Sequence, residues 1–178
     1  MTRVLLAPDS FKGSLSALRF CQVAENVFAE HWPTVECISR PLADGGDGTA
    51  EAFVLGCDAE RKKETVCDPF DQSIVAEWGW LSDKTAVVEL AAASGITLYP
   101  PDELDPLRVS TFGTGQLIKH ALDAGCETLI IGLGGSATND GGMGLLAALG
   151  VLFLDDASQP LRGCGDNLAK VAEVDASQ

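Results

Sequence analysis

The chain has 178 residues, of which 46% are hydrophobic and 21% charged, and its formal net charge is −14. This is enough material for a packed core, in one domain or two small ones, and the composition is that of a folded chain. The acidic balance excludes the basic footprint that nucleic-acid binders carry.

Val4-Leu5-Leu6-Ala7 predicts a short buried strand, stopped by Pro8-Asp9. Ser14 is the expected cap of a helix in which Leu18, Cys21, Ala24, Val27 and Phe28 recur at helical spacing, ended by His31-Trp32-Pro33. Residues 35–39 predict a second strand and residues 49–55 a second helix, so the opening third reads β-loop-α-β-loop-α. The pattern then changes. Residues 65–67, 74–80 and 85–90 predict strands around the turn Asp68-Pro69-Phe70-Asp71, and their short gaps favour antiparallel pairing. Arg61-Lys62-Lys63 reads as solvated surface. Residues 99–106 predict a proline-rich loop, 110–124 a helix weakened by Gly113 and Gly115, 128–131 a strand, 142–149 a helix and 151–154 a strand. A short amphipathic stretch runs from Leu168 to Val174, with no closing strand expected. The fold class expected is α/β, with a change of domain near residue 60.

Six cysteines stand at positions without C-x-x-C or zinc spacing, which predicts free thiols in a reducing compartment. The apolar N-terminal stretch is too short for a signal peptide, and nothing approaches the ~20 apolar residues of a membrane span. A cytoplasmic protein with no membrane or nucleic-acid partner is expected.

Three loops carry candidate chemistry. The first is "APDSFKGS" (7–14), where a strand ends and Asp9, Ser10 and Lys12 precede a helix. Strand ends in open α/β sheets line ligand crevices, and a lysine there can hold a phosphate as a point charge. The second is "ADGGDGT" (43–49). Asp44 and Asp47 either hold Mg²⁺ or supply a base, or else shape a turn and cap a helix. The third is "GLGGSATNDGGMG" (132–144). Gly134, Gly135 and Ser136 could aim N–H groups at a phosphate, and Asp140 could receive a hydroxyl proton or bind metal. Its first six residues, Gly132 to Ala137, also fit the G-x-G-x-x-A dinucleotide fingerprint, so an NAD(P)-dependent oxidoreductase is the rival enzyme reading. The turn-forming Asn139-Asp140-Gly141-Gly142 argues against it. A non-catalytic ligand-binding fragment is the rival outside enzymes. Glu89, at the end of a strand, is a weaker candidate.

With these loops in hand, the sequence resembles the glycerate kinase type 1 family. The matching stretches are "APDSFKGSLSA" (7–17), "PLADGGDGTAEA" (41–52), "VVELAAASGI" (87–96), "STFGTGQLI" (110–118) and "IIGLGGSATNDGGMGLLAALG" (131–150). Asp47 stands where the family pattern would carry glutamate, which keeps the charge. The resemblance implies a flavodoxin/Rossmann-like domain, begun by residues 1–60, and a second α/β mixed-sheet domain in residues 61–178. Family members are longer, so a further half is expected after residue 178, and the 178 residues alone are expected to be of doubtful activity. The implied reaction moves the ATP γ-phosphoryl group to a hydroxyl of D-glycerate, giving a phosphoglycerate, with ATP and Mg²⁺ as cofactors. Lys12 and Ser10 would then contact phosphate or the substrate carboxylate. Asp44 and Asp47 would bind Mg²⁺, or Asp44 act as base. Gly134, Gly135 and Ser136 would cradle phosphate, and Asn139 and Asp140 would orient hydroxyl or metal.

Overall fold

The computed structural model describes residues 2–11, 13–57 and 59–177. Strand β1 (Thr2–Leu6) pairs in parallel with β2 (Val35–Ser39), Val4 facing Cys37. Helix α1 (Ala17–His31) makes the crossover between them. Its cap is Ser16, whose hydroxyl accepts the Arg19 N–H, and not Ser14 as expected. The Ser14 hydroxyl instead donates to the Phe11 carbonyl and tightens the loop before the helix. The expected inward position Cys21 is buried, its thiol 3.7 Å from the Leu6 carbonyl. Parallel pairs are usually covered on both faces, yet Leu5 stays 63% exposed.

The larger sheet has the order β3-β4-β5-β6. Strands β3 (Glu60–Cys67) and β4 (Ser73–Trp80) form the expected antiparallel hairpin. β4 pairs antiparallel with β5 (Thr85–Glu89), and β5 pairs in parallel with β6 (Thr128–Gly132). The sheet is therefore mixed. β3 starts well before the predicted residues because its charged stretch is paired across the hairpin: Arg61 and Lys63 each bridge to Glu77. All five residues of β5 are buried, as befits a central strand.

Two layers of helix enclose this sheet. On one face, Val66, Ala76, Trp78, Ala86 and Val88 form a core with Ala93 of the short helix α3 (Leu90–Ser94) and with Leu117, Ile118 and Ala121 of α4 (Phe112–Asp123). The Trp78 ring meets Trp80 edge-on at 5.9 Å. Its indole N–H is the buried side-chain polar atom left without a hydrogen-bond partner among the described residues. Helix α2 (Thr49–Cys57) packs against β4 and β5. A Cβ built on Gly79 of β4 would lie 3.7 Å from a Val54 methyl of that helix. Helix α5 (Met143–Ala148) lies along α4. The chain ends in a small antiparallel ribbon, β7 (Leu152–Leu154) with β8 (Glu173–Asp175). β8 is a closing strand where none was expected, because three residues, two of them acidic, leave no periodic signal.

Gly113 and Gly115 weaken a helix in sequence, and the packing explains their presence. A Cβ on Gly113 would sit 1.7 Å from the Cys67 carbonyl oxygen, and one on Gly115 would sit 2.3 Å from that of Leu145. Both neighbours are backbone and cannot swing aside. Gly56, in α2, has nothing within 4 Å of its added Cβ. Gly113→Ala is therefore expected to lower unfolding stability by about 3 kcal/mol through overpacking. Gly56→Ala should be neutral or raise it by ~0.5–1 kcal/mol. Urea unfolding midpoints of the two variants check this contrast.

Candidate active site

The first two candidate loops share a cleft of about 400 Å³, lined by Ser10, Phe11 and Ser14 from one, by Asp47 and Gly48 from the other, and by Glu51 of α2. Thr97, on the turn after α3, closes part of the wall. The loop from Phe11 to Leu15 folds back on itself, with the Ser14 and Leu15 N–H groups on the Phe11 carbonyl. The Phe11 ring then stacks on Phe20 of α1 at 5.5 Å. Asp9 is exposed and accepts the Ser10 N–H at 2.6 Å. Lys12 lies outside the described residues.

The third loop braces the second from behind. The Gly134 N–H donates to the Gly45 carbonyl at 2.8 Å. A Cβ on Gly132 would lie 2.5 Å from that same carbonyl oxygen, and one on Gly134 would lie 2.7 Å from the Gly46 Cα. The two loops thus pack backbone on backbone. This corrects the expectation for Gly134, whose N–H serves the neighbouring loop and not an anion. The Ser136 hydroxyl is likewise spent locally, on the Thr138 hydroxyl and N–H. Gly135 stays beside the cleft carboxylate: its added Cβ would be 3.2 Å from Asp47 Oδ1. Its φ of 71° suits glycine, and its carbonyl accepts the Ile96 N–H.

Asp140 does not reach the cleft. It is 1% exposed. Its Oδ2 accepts the Thr111 N–H, the Thr111 hydroxyl and the Gly144 N–H at 2.8–3.1 Å, and its Oδ1 accepts the Gly142 N–H at 3.1 Å. The side chain ties the start of α5 to the start of α4. Four protein donors hold the buried carboxylate away from the cleft, which argues against the hydroxyl or metal role expected from sequence. Asn139 is exposed on the far end of this loop, with its carbonyl beside Gly165. Asp44 is exposed and turned back on the Gly46 N–H at 3.2 Å.

Glu89 is the residue that sequence undervalued. Its two carboxylate oxygens accept the N–H groups of Gly48 (3.2 Å) and Ala50, at the start of α2. Burial pushes its carboxyl above the ordinary range, Asp47 and Glu51 push the same way, and the two N–H groups oppose the shift. The available signal was an acid closing an otherwise apolar strand, Thr85-Ala86-Val87-Val88-Glu89.

Among the described residues, no three Asp, Glu, His or Cys side chains converge on a point that could hold a metal. Magnesium needs no such cage, since it keeps waters and is commonly held by one or two carboxylates together with substrate phosphates. Asp47 and Glu51 line one cleft, Glu51 also pairing with Arg61, and that donor set fits a magnesium–phosphate ligand. A dinucleotide turn fits less well, because the helix after the glycines begins only at Met143.

A family model described as the glycerate kinase family matches residues 4–178. The chain belongs to the glycerate kinase family. Among curated relatives, a glycerate kinase of Haemophilus influenzae is 43% identical over 99% of this chain and 47% of its own length. A glycerate 2-kinase of Escherichia coli is 42% identical over 98% and 46%. An uncharacterized protein of Synechocystis is 46% identical over 98% and 47%. The crystal structure of a protein assigned as glycerate kinase 2 from Salmonella typhimurium superposes with a TM-score of 0.80 at 44% identity, covering 99% of this chain and 47% of that one. The chain spans about half the length of the glycerate kinase family members it matches. No helix among the described residues is long and apolar enough to cross a membrane.

Two outcomes follow from the buried acids. Asp140→Asn places an amide against four donors that need two acceptor oxygens, so stability should fall by about 3 kcal/mol, read from urea unfolding. For Glu89 the folded-state shift is upward, so its stabilising contribution is full below the ordinary value near 4.5 and is lost as pH rises through the raised one. The stability of Glu89→Gln relative to the parent chain should therefore climb with pH above about 4.5. A flat or falling difference between pH 4 and 7 contradicts this assignment.

Proposed function

We propose that this chain carries the substrate-binding part of a kinase that transfers the ATP γ-phosphoryl group to a hydroxyl of D-glycerate. The 2-hydroxyl is the expected acceptor. The observation that supports this most is the cleft shared by the first two loops, in a chain of the glycerate kinase family. We read residues 1–60 and 61–178 as its two units, with the cleft in the first and Thr97 of the second on its wall.

Phosphoryl transfer asks a protein mainly for positioning and for neutralisation of charge on the phosphate oxygens. In this reading Ser10 and the backbone of the first loop bind the small hydroxy acid, with Lys12 supplying the cation for its carboxylate or for phosphate. Asp47 holds Mg²⁺, with Asp44 on the same loop as second carboxylate or as the base that takes the hydroxyl proton. Magnesium, when bound, offsets the charge of the phosphates. Gly135 keeps the wall beside Asp47 free of side chain, so that a ligand can come close.

The test is NMR titration of the chain with D-glycerate, with Mg-ATP and with NAD, followed by an assay for phosphoglycerate. Glycerate and Mg-ATP are expected to shift the amides of Ser10, Asp47 and Gly48, whereas NAD is not. Asp47→Asn should weaken the Mg-ATP response by about tenfold or more, the loss of one strong charged contact. Shifts confined to other surfaces, or a response to NAD alone, overturn the reading. Binding without turnover would support the ligand-binding fragment and place the missing chemistry outside these 178 residues.

A further inference from the structure

We infer that Glu89 is a positioning residue: from the central strand of the larger sheet it sets the place of the Asp44–Asp47 loop, and so the ligand affinity of the cleft. This deepens the phosphotransfer reading and rests on it for the nature of the ligand.

The loop holds its own shape only in part: the Gly46 N–H donates to Asp44, and the Thr49 hydroxyl and N–H donate to the Gly46 carbonyl. Gly45 and Gly48 flank Asp47 with φ of 96° and 91°, conformations that glycine visits freely and does not enforce. The place of the Asp47 backbone therefore also depends on what grips Gly45 and Gly48. Gly45 is gripped through its carbonyl by the Gly134 N–H. Gly48 is gripped through its N–H by Glu89. The support behind Glu89 is rigid: Val87 and Val88 are fully buried, and β5 is bonded along one side to β6 through its whole length.

The chemistry at position 89 is also specific. The Gly48 and Ala50 N–H groups reach separate oxygens of the one carboxylate. A carboxamide offers a single oxygen, and its NH₂ would face the second N–H. A shorter acid on the same strand would draw back from both. The negative charge also suits the positive end of α2, which is nine residues long. Against these gains stand burial and two like charges, Asp47 and Glu51. A side chain kept only to fill space would avoid that cost.

The experiment compares the parent chain with Glu89→Ala, Glu89→Gln and Glu89→Asp by amide exchange, and by titration with D-glycerate and Mg-ATP. The Gly48 and Ala50 amides should exchange about tenfold faster in Glu89→Ala, with the amide of Val87 unchanged. Cleft affinity should fall about tenfold in Glu89→Ala and recover in part in Glu89→Gln, which keeps one acceptor. Unchanged exchange at Gly48 and Ala50 overturns the inference. So does faster exchange spread evenly over the chain, or an affinity that holds while the two amides loosen. The exchange arm needs no ligand. A parent chain that binds neither glycerate nor Mg-ATP defeats the phosphotransfer reading, and loosening limited to Gly45–Ala50 still decides for Glu89.

Discussion

One contact organises the cleft: the approach of two glycine-rich loops to hydrogen-bonding distance, backbone against backbone, at Gly45 and Gly134. No side chain can stand between them. A methyl group on Gly132 or Gly134 would penetrate the opposing main chain. Because the 43–49 loop leads straight into α2, this contact also places that helix on β4 and β5. The wall of the cleft that carries Asp47 is then defined from two sides, by the loop behind it and by the sheet beneath.

The glycines of 132–144 serve three separate ends, and only Gly135 comes close to a cleft carboxylate. Gly132 and Gly134 allow the loops to meet. Gly135, Gly141 and Gly142 adopt positive φ, with Gly135 also lying against Asp47. Gly144 lies against Ser110 and Asp140, where a Cβ would come within 2.3 Å of the serine hydroxyl. A sequence shows that such a stretch is free to bend. It does not show whether the freedom serves a ligand, a neighbour or a turn, because that depends on residues nearly a hundred positions away.

Local patterns were legible where burial repeats with a period. Cys21 on α1, the apolar run of β5 and the helix from Phe112 came through, as did the hairpin around Asp68 to Asp71. The turn is held by Asp68, which accepts the Phe70 and Gln72 N–H groups and the Tyr99 hydroxyl. β3 was only half visible, because ion pairs across a hairpin sustain a strand that hydrophobicity does not mark. α3 was missed: Leu90-Ala91-Ala92-Ala93-Ser94 is one turn and a little more, too short for a period. The site was legible as loops but not as roles. Asp140 is an acid among glycines and Glu89 an acid closing an apolar strand, and what separates their duties is where their oxygens point. The density of acids around the start of α2 is equally invisible in the net charge, and it is the local charge that a magnesium–phosphate ligand would meet.

The edge-on pair of indoles in the larger sheet gives the molecule a built-in optical gauge. Trp78 is 1% exposed, Trp80 is partly buried and Trp32 is 55% exposed, so excitation near the red edge reaches rings in different surroundings. A dry ring with an unsatisfied N–H emits at shorter wavelength than one in water, and water reaching it moves that emission to the red. The buried ring packs under α3 and α4, on strands joined to the one that bears Glu89. Fluorescence therefore follows the integrity of this layer without any label.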